Sequence, residues 1–445
     1  MDDKYDIVVI GAGSAGMIIA GRCAASGMRA AIADPLPFGG TCALRGCNPK
    51  RILSGAAELT DRSSRMTGSG ISRAAGLSYR DLVRYKNTVI APVPSGSEKS
   101  MTSKGVETIH AVCSFEDENT VRAGDRLLRA DKIAVTSGAE PAPLKIEGAG
   151  HLMKSDDYLM LEELPGSIAF IGGGYISFEF AHSASRAGAG AVIINDTPKP
   201  LSGFDDYIVD KLLDATAEAG IRVITGSPAA GIDKKEAGFV ITTEKENIEA
   251  ALVVHGAGRV PATRKLGLGR AGVETDEKGN ILINDYLQSV SNPSVYVAGD
   301  ANGTSPQLTP VASLEASVAA FNIVNGNSIK PDYTATASAV FTVPPIASVG
   351  MTLEQAEKSG LHFTEKTQDT ENWSYSRMLG LKHTGFRVIT DPHTGLILGA
   401  HLIGHNCEEV INLFALIMKL KIPAEELSTI LFAYPSLGTY IDYMF

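Results

Sequence analysis

"YDIVVIGAGSAGMIIAGRCAASGMRAAIADP", from Tyr5 to Pro35, is the stretch on which the fold turns. The run from Asp6 to Ile10 reads as a buried strand, followed by Gly11, Gly13 and Gly16, a helical pattern, and a second strand ending on Asp34. Each residue type has a physical task at that spacing. The first glycine makes the turn, the second lets backbone approach a pyrophosphate, and the third lets the helix pack closely on the strand. The helix N-terminus supplies N–H donors and positive potential. An acid roughly 20 residues on can accept from a ribose hydroxyl. Glycine turns are common, so one such fingerprint is weak.

The unit occurs twice, which is much stronger. "GSIAFIGGGYISFEFAHSASRAGAGAVIINDT", Gly166 to Thr197, repeats strand, glycine turn, helix, strand and acid, with Gly172 and Gly174 in the turn and Asp196 in the matching acidic place. Ser177 holds the third glycine position, a modest departure because serine is small.

Size and charge bound the rest. A chain of 445 residues is too long for one ordinary core, so two or three domains are expected. Fifty acids against 40 bases give a net charge of −10 with no basic cluster, which makes nucleic acid and anionic membrane poor partners. The opening "MDDKYDIVVIGAG" lacks the basic and long apolar regions of a signal peptide, and no long uncharged apolar run would span a bilayer. A cytoplasmic protein is expected. There, five cysteines are not a disulfide framework, and a close pair is more often catalytic or metal-binding.

That pair is Cys42 and Cys47 in "FGGTCALRGCNPKR". Structural zinc needs about four ligands. Cys23, Cys113 and Cys407 stand alone in apolar or helical surroundings and read as core, so zinc is disfavoured for the pair too.

Further along, "YRDLVRYKNTVI" is helical, strands follow through "ADKIAVTSGAEPAP", and "NPSVYVAGD" is another strand ending on Asp300 before a helix. After a break at "NGNSIKPDYTAT", the last 110 or so residues mix strands and helices with no dinucleotide pattern. The predicted fold class is α/β, with two Rossmann-like dinucleotide-binding domains and a separate C-terminal α+β domain.

Both dinucleotide units, the C-x4-C pair after "GGT", and "VTSGAEP", "GRVPAT", "VYVAGD" and "VFTVPPIASVG" stand in an order that resembles the pyridine nucleotide-disulfide oxidoreductases, the family of glutathione reductase, dihydrolipoamide dehydrogenase and mercuric reductase. The resemblance covers essentially the whole chain. It implies a discontinuous FAD domain at 1–147 and 266–328, an NAD(P) domain at 148–265, an interface domain at 333–445, and a homodimer. Gly11, Gly13, Gly16, Asp34, Gly40, Thr41, Thr136, Ser137, Gly138, Asp300, Leu308 and Thr309 would line the FAD site. Gly172, Gly174, Tyr175, Ser177, Asp196 and Gly258 would meet the nicotinamide nucleotide, with Tyr175 covering the flavin until it enters. Glu179 matches the acid near flavin N5, and its usual lysine partner is expected at Arg51, where a planar fork is not equivalent to an ammonium. Asp196, with no arginines after it, favours NADH over NADPH, although Lys199 is nearby.

By the same resemblance Cys42 and Cys47 form the redox disulfide. Cys47 would be the charge-transfer thiol and Cys42 the thiol that attacks substrate. Residues five apart in a regular helix lie about 8.5 Å apart, beyond the roughly 7 Å a disulfide tolerates, so the bridged segment cannot be regular helix. Pro49 marks a helix start, which places Cys47 at a helix N-terminus, where a thiolate is stabilised. The implied path is hydride from NADH to flavin N5, electrons from C4a to the Cys47 sulfur, then exchange at Cys42 with a small-molecule disulfide or other acceptor.

One departure matters. Relatives that reduce disulfides carry H-P-T-x-x-E near the C-terminus, whereas "FAYPSLGTYIDYMF" has Tyr434 for the histidine and Thr439 for the glutamate. Tyrosine, with a pKa near 10, rarely serves as a base. Tyr434 is either catalytic or an interface-packing aromatic, and His401 and His405 match no catalytic position. The alternative reading is an NADH-dependent reductase of quinones, metal ions or other non-disulfide acceptors.

Overall fold

In the computed structural model, which describes residues 3–445, the strand Asp3–Ile10 pairs in parallel with Ala30–Ala33 on one side and Arg126–Val135 on the other. This is the centre of a seven-stranded sheet. Glu107–Ile109 extends it beyond Ala30–Ala33, while Thr120–Ala123 and Cys113–Phe115 add antiparallel strands beyond Arg126–Val135. Val295–Val297 pairs in parallel with the far end of Arg126–Val135. The run 7–10, with Ala30–Ala33 and Val295–Val297 beside it in the sheet, is wholly apolar apart from the Tyr296 hydroxyl and buried, as strands covered on both faces must be. One face packs on the helices Ser14–Ala25 and Thr309–Asn325 through Ile19, Ala20, Ala316 and Ala319. Small alanines there let the helices come close.

These elements belong to one of two compact units, made of the chain through Pro49, Lys86–Ala142 and Gly258–Tyr333. The other comprises Lys50–Tyr85, Pro143–Ala257 and Thr334–Phe445. It holds a parallel sheet of Arg222–Ile224, Gly190–Ile194, Ser167–Ile171 and Leu252–His255, and a three-stranded antiparallel sheet over 229–250. A five-stranded antiparallel sheet over 338–403 completes it, with the amphipathic helix Cys407–Lys419 packed on it through Val410, Ile411, Phe414 and Ile417.

The first unit ends at Ala142 and resumes at Gly258, because Ala139–Pro141 and Arg259–Pro261 form an antiparallel ladder that keeps both segments together. Residues 50–85 go with the second unit, where Leu53, Tyr79 and Val83 join the core of Phe170, Phe178 and Leu212. Among the described residues no helix is long and apolar enough to cross a membrane.

Candidate active site

The first glycine turn is shaped to the limit of its backbone. Gly11 has φ +106°, and a Cβ there would lie 2.4 Å from the Thr136 carbonyl oxygen. At Gly16 a Cβ would meet the Gly11 carbonyl oxygen at 1.9 Å. The Thr136 hydroxyl stands 2.9 Å from the carbonyls of Ile10 and Gly11, so Thr136 braces the turn. Asp34 comes directly after its strand, and its two oxygens accept from the N–H of Ala12 at 2.7 Å and of Leu36 at 2.8 Å. Gly40 approaches Gly13 so closely that a Cβ on it would lie 2.5 Å from the Gly13 Cα. Beside Gly138, the Ser137 hydroxyl is buried without a partner among the described residues. A bare glycine turn at a helix start and an orphaned hydroxyl fit a dinucleotide pyrophosphate. Asp300 stands at the turn after Val295–Val297, and burial raises its pKa against the pull of Arg259. The buried Glu315 holds that turn, accepting from Gly299 N–H at 2.7 Å, Asn302 Nδ2 at 2.8 Å and the Tyr333 hydroxyl at 2.7 Å.

Cys42 and Cys47 lie on either side of a broken helix. Gly40–Arg45 is helical, Gly46 departs at φ −147° and ψ −110°, and a new helix runs Cys47–Arg65. The break meets the geometric need for an irregular segment, and Cys47 opens the second helix as expected, with Pro49 in its first turn. Both sulfurs meet one hydroxyl. Thr309 donates to Cys42 Sγ at 3.0 Å and lies 3.5 Å from Cys47 Sγ. Hydrogen bonding to Cys47, then burial, push the Cys42 thiol far above its ordinary pKa.

The second glycine turn repeats the first with changes. Gly172 has φ +100°, and its Cβ would lie 2.5 Å from the Ala257 Cα. Ser177 is fully buried; a Cβ on Gly256 would fall 2.0 Å from the Ser177 hydroxyl, so Gly256 makes the room that the extra hydroxyl needs. The matching of Asp196 to Asp34 is corrected. Asn195, the first residue after Gly190–Ile194, is the counterpart, accepting from Gly173 N–H at 3.0 Å as Asp34 accepts from Ala12. Asp196 is the next residue and is exposed, and Lys199 nearby is ion-paired with Asp206.

The partner of Glu179 is also corrected, from Arg51 to Lys50. Lys50 Nζ lies 2.9 and 2.8 Å from the two oxygens of Glu179, which is only 2% exposed and also accepts from Phe341 N–H at 3.0 Å. One residue further round the helix, Arg51 leaves on another face and pairs with Glu408 at 3.3 Å and Glu58 at 3.8 Å. The expected arginine-for-lysine exchange at Glu179 does not exist. The Lys50 ammonium also lies 5.0 Å from the ring centre of Tyr175, the 41% exposed first residue of the helix after Gly174.

Elsewhere, Cys23, Cys113 and Cys407 are buried, and burial raises the first two to about 12. His401 is buried between Ser348 and the Met351 carbonyl, and burial lowers its pKa. His405 sits between Glu58 and Arg62. Tyr434 is 70% exposed, just before the 3₁₀ segment Leu437–Tyr443, and Thr439 hydrogen-bonds locally to Ala433. Thr41 is exposed, and Gly258 has φ +95° with open space where a Cβ would be.

Residues 5–316 match the family described as pyridine nucleotide-disulphide oxidoreductase, and residues 336–444 match its dimerisation domain. The chain is 32% identical to a dihydrolipoyl dehydrogenase of Synechocystis, over 99% of this chain and 98% of that one. It is 29% identical to a glutathione reductase of Burkholderia cepacia, covering 98% and 97% of the two chains, and 28% identical to a mercuric reductase of Lysinibacillus sphaericus, covering 97% and 80%. The fold is that of the flavoprotein disulfide reductase RclA from Escherichia coli, with a TM-score of 0.90 at 24% identity over 99% of both chains. The chain belongs to the pyridine nucleotide-disulphide oxidoreductases, the NAD(P)H-dependent, FAD-containing disulfide oxidoreductases.

Proposed function

We propose that this chain draws electron pairs from NADH and delivers them through Cys47 and then Cys42 to a small-molecule disulfide. The observation that carries the reading is the placement of the two cysteines across a helix break, with Cys47 at a helix start and the Thr309 hydroxyl within reach of both sulfurs. FAD supplies the step between hydride and thiol chemistry. The first unit would hold it at the Gly11 turn, Ser137 and Asp300, and the second would hold the nicotinamide nucleotide at the Gly172 turn. Tyr175 would stand at its entrance, and Lys50 with Glu179 would fix charge there.

A groove of about 900 Å³ between the helices Ser14–Ala25 and Val93–Thr102 supports an acceptor that is small and anionic. Arg22 and Lys104 line it with Met17, Met101, Ser97 and Ser100, in a chain whose net charge is −10. Its Val93 reaches the start of the Cys42 helix, 3.0 Å from where a Gly39 Cβ would be. NADH is favoured over NADPH because Asp196 is exposed and Lys199 is held by Asp206.

The second reading, reduction of a quinone or metal ion, is favoured by Tyr434 where a histidine would shuttle protons. Cys42→Ser separates the two: disulfide reduction should vanish with flavin still bound. Unchanged turnover with a disulfide in that variant would sink the first reading.

A further inference from the structure

We propose that Thr309 is a catalytic residue of the thiol exchange, its hydroxyl donating to Cys42 Sγ so that Cys42 can carry the attacking charge in a chain with Tyr434 in place of a histidine. The inference rests on the reading of Cys42 as the attacking sulfur. Thr309 opens the helix Thr309–Asn325, and the same helix is fixed six residues later by the three donors on Glu315. Its hydroxyl has one hydrogen and two sulfurs in reach, 3.0 Å to Cys42 and 3.5 Å to Cys47. A rotating hydroxyl can follow the charge from one sulfur to the other. Threonine's branched side chain keeps that hydroxyl from swinging elsewhere.

The reduced pair, with one proton and one negative charge between two sulfurs, needs no external base. The proton passes from Cys42 to Cys47 while Thr309 keeps donating to Cys42. The Cys42 thiolate attacks the acceptor R–S–S–R, forming Cys42–S–S–R and releasing RS⁻, which takes a proton from solvent. Cys47 then attacks the Cys42 sulfur, re-forming the disulfide, and its proton leaves with the second RS⁻. Two electrons and two protons reach the acceptor. The groups that bear on Cys42 are Cys47, from the next helix, and Thr309; the Cys47 bond and then burial raise its pKa, and the Thr309 hydrogen bond opposes them.

The test tracks alkylation of Cys42 by iodoacetamide against pH in the flavin-loaded Cys47→Ser chain, with peptide mapping of the label. Thr309→Val and Thr309→Ala should each shift the midpoint upward and slow alkylation at neutral pH by about tenfold or more, the worth of a hydrogen bond to a charged group. Thr309→Ser should keep the parent profile. An unshifted midpoint in the valine and alanine variants overturns the proposal, and so does a serine variant that shifts with them. The readout needs no NADH and no turnover, so it stands apart from the proposed function.

Discussion

Gly11 and Gly172 make the same turn, each with positive φ and each pressed against backbone from a distant strand end, Thr136 in one case and Ala257 in the other. The two units diverge beyond their turns. Asp34 stands after the second strand of the first unit and Asn195 after that of the second, and their neighbours explain the exchange. Asp34 faces two donors, Ala12 N–H and Leu36 N–H, which suits a carboxylate. Asn195 faces one donor, Gly173 N–H, and two acceptors, the Thr197 carbonyl at 2.7 Å and its hydroxyl at 2.9 Å, which suits an amide. The residue after the strand is thus set by its own loop as well as by a ligand. The helices differ too. Glu179, five residues into the second helix, corresponds to Ile18 in the first, so only the second unit brings a buried acid and its lysine to the turn.

The widest break in this comparison comes from adding a methyl group to each turn. Gly11→Ala should cost flavin retention, measured by flavin content after purification. Gly172→Ala should keep flavin but lower kcat/KM for NADH by about a hundredfold, as misplacement by an ångström does. Next is the pair that the first unit lacks. Lys50→Met strands a buried carboxylate and should destabilise by about 3–5 kcal/mol in denaturant titration, whereas Arg51→Met, at a half-exposed site, should stay within about 1 kcal/mol. Equal effects would count against Lys50 as the partner of Glu179. The smallest effect is the exchange of the two post-strand residues. Asp34→Asn turns an amide donor toward a backbone donor, and Asn195→Asp turns a carboxylate toward the Thr197 carbonyl. Each should cost about 1–3 kcal/mol in thermal or denaturant unfolding.

Much of this was legible in the sequence because it is local. Glycine spacing specified both turns, and Pro49 after Cys47 specified a helix start. Local reading failed where one residue of offset changes direction. Lys50 and Arg51 are neighbours, but each step round a helix turns the side chain by about 100°, so only Lys50 reaches Glu179. Asn195 and Asp196 likewise leave an extended segment on opposite sides. The role of Thr309 was invisible for another reason: it lies 267 positions from Cys42, and only the folded sheet brings them together. The unit boundary at Gly258 likewise depended on a ladder between segments far apart in sequence, Ala139–Pro141 and Arg259–Pro261.

The central claim is that Cys47 carries the charge and Cys42 the proton beside a bound flavin. An anaerobic NADH titration of the flavin-loaded chain, monitored by absorbance, tests it most directly. The account predicts a long-wavelength thiolate–flavin band that grows with the first equivalent, and that Cys42→Ser retains while Cys47→Ser abolishes it. Bleaching of the flavin at the first equivalent with no such band, or a band that survives Cys47→Ser, would contradict it.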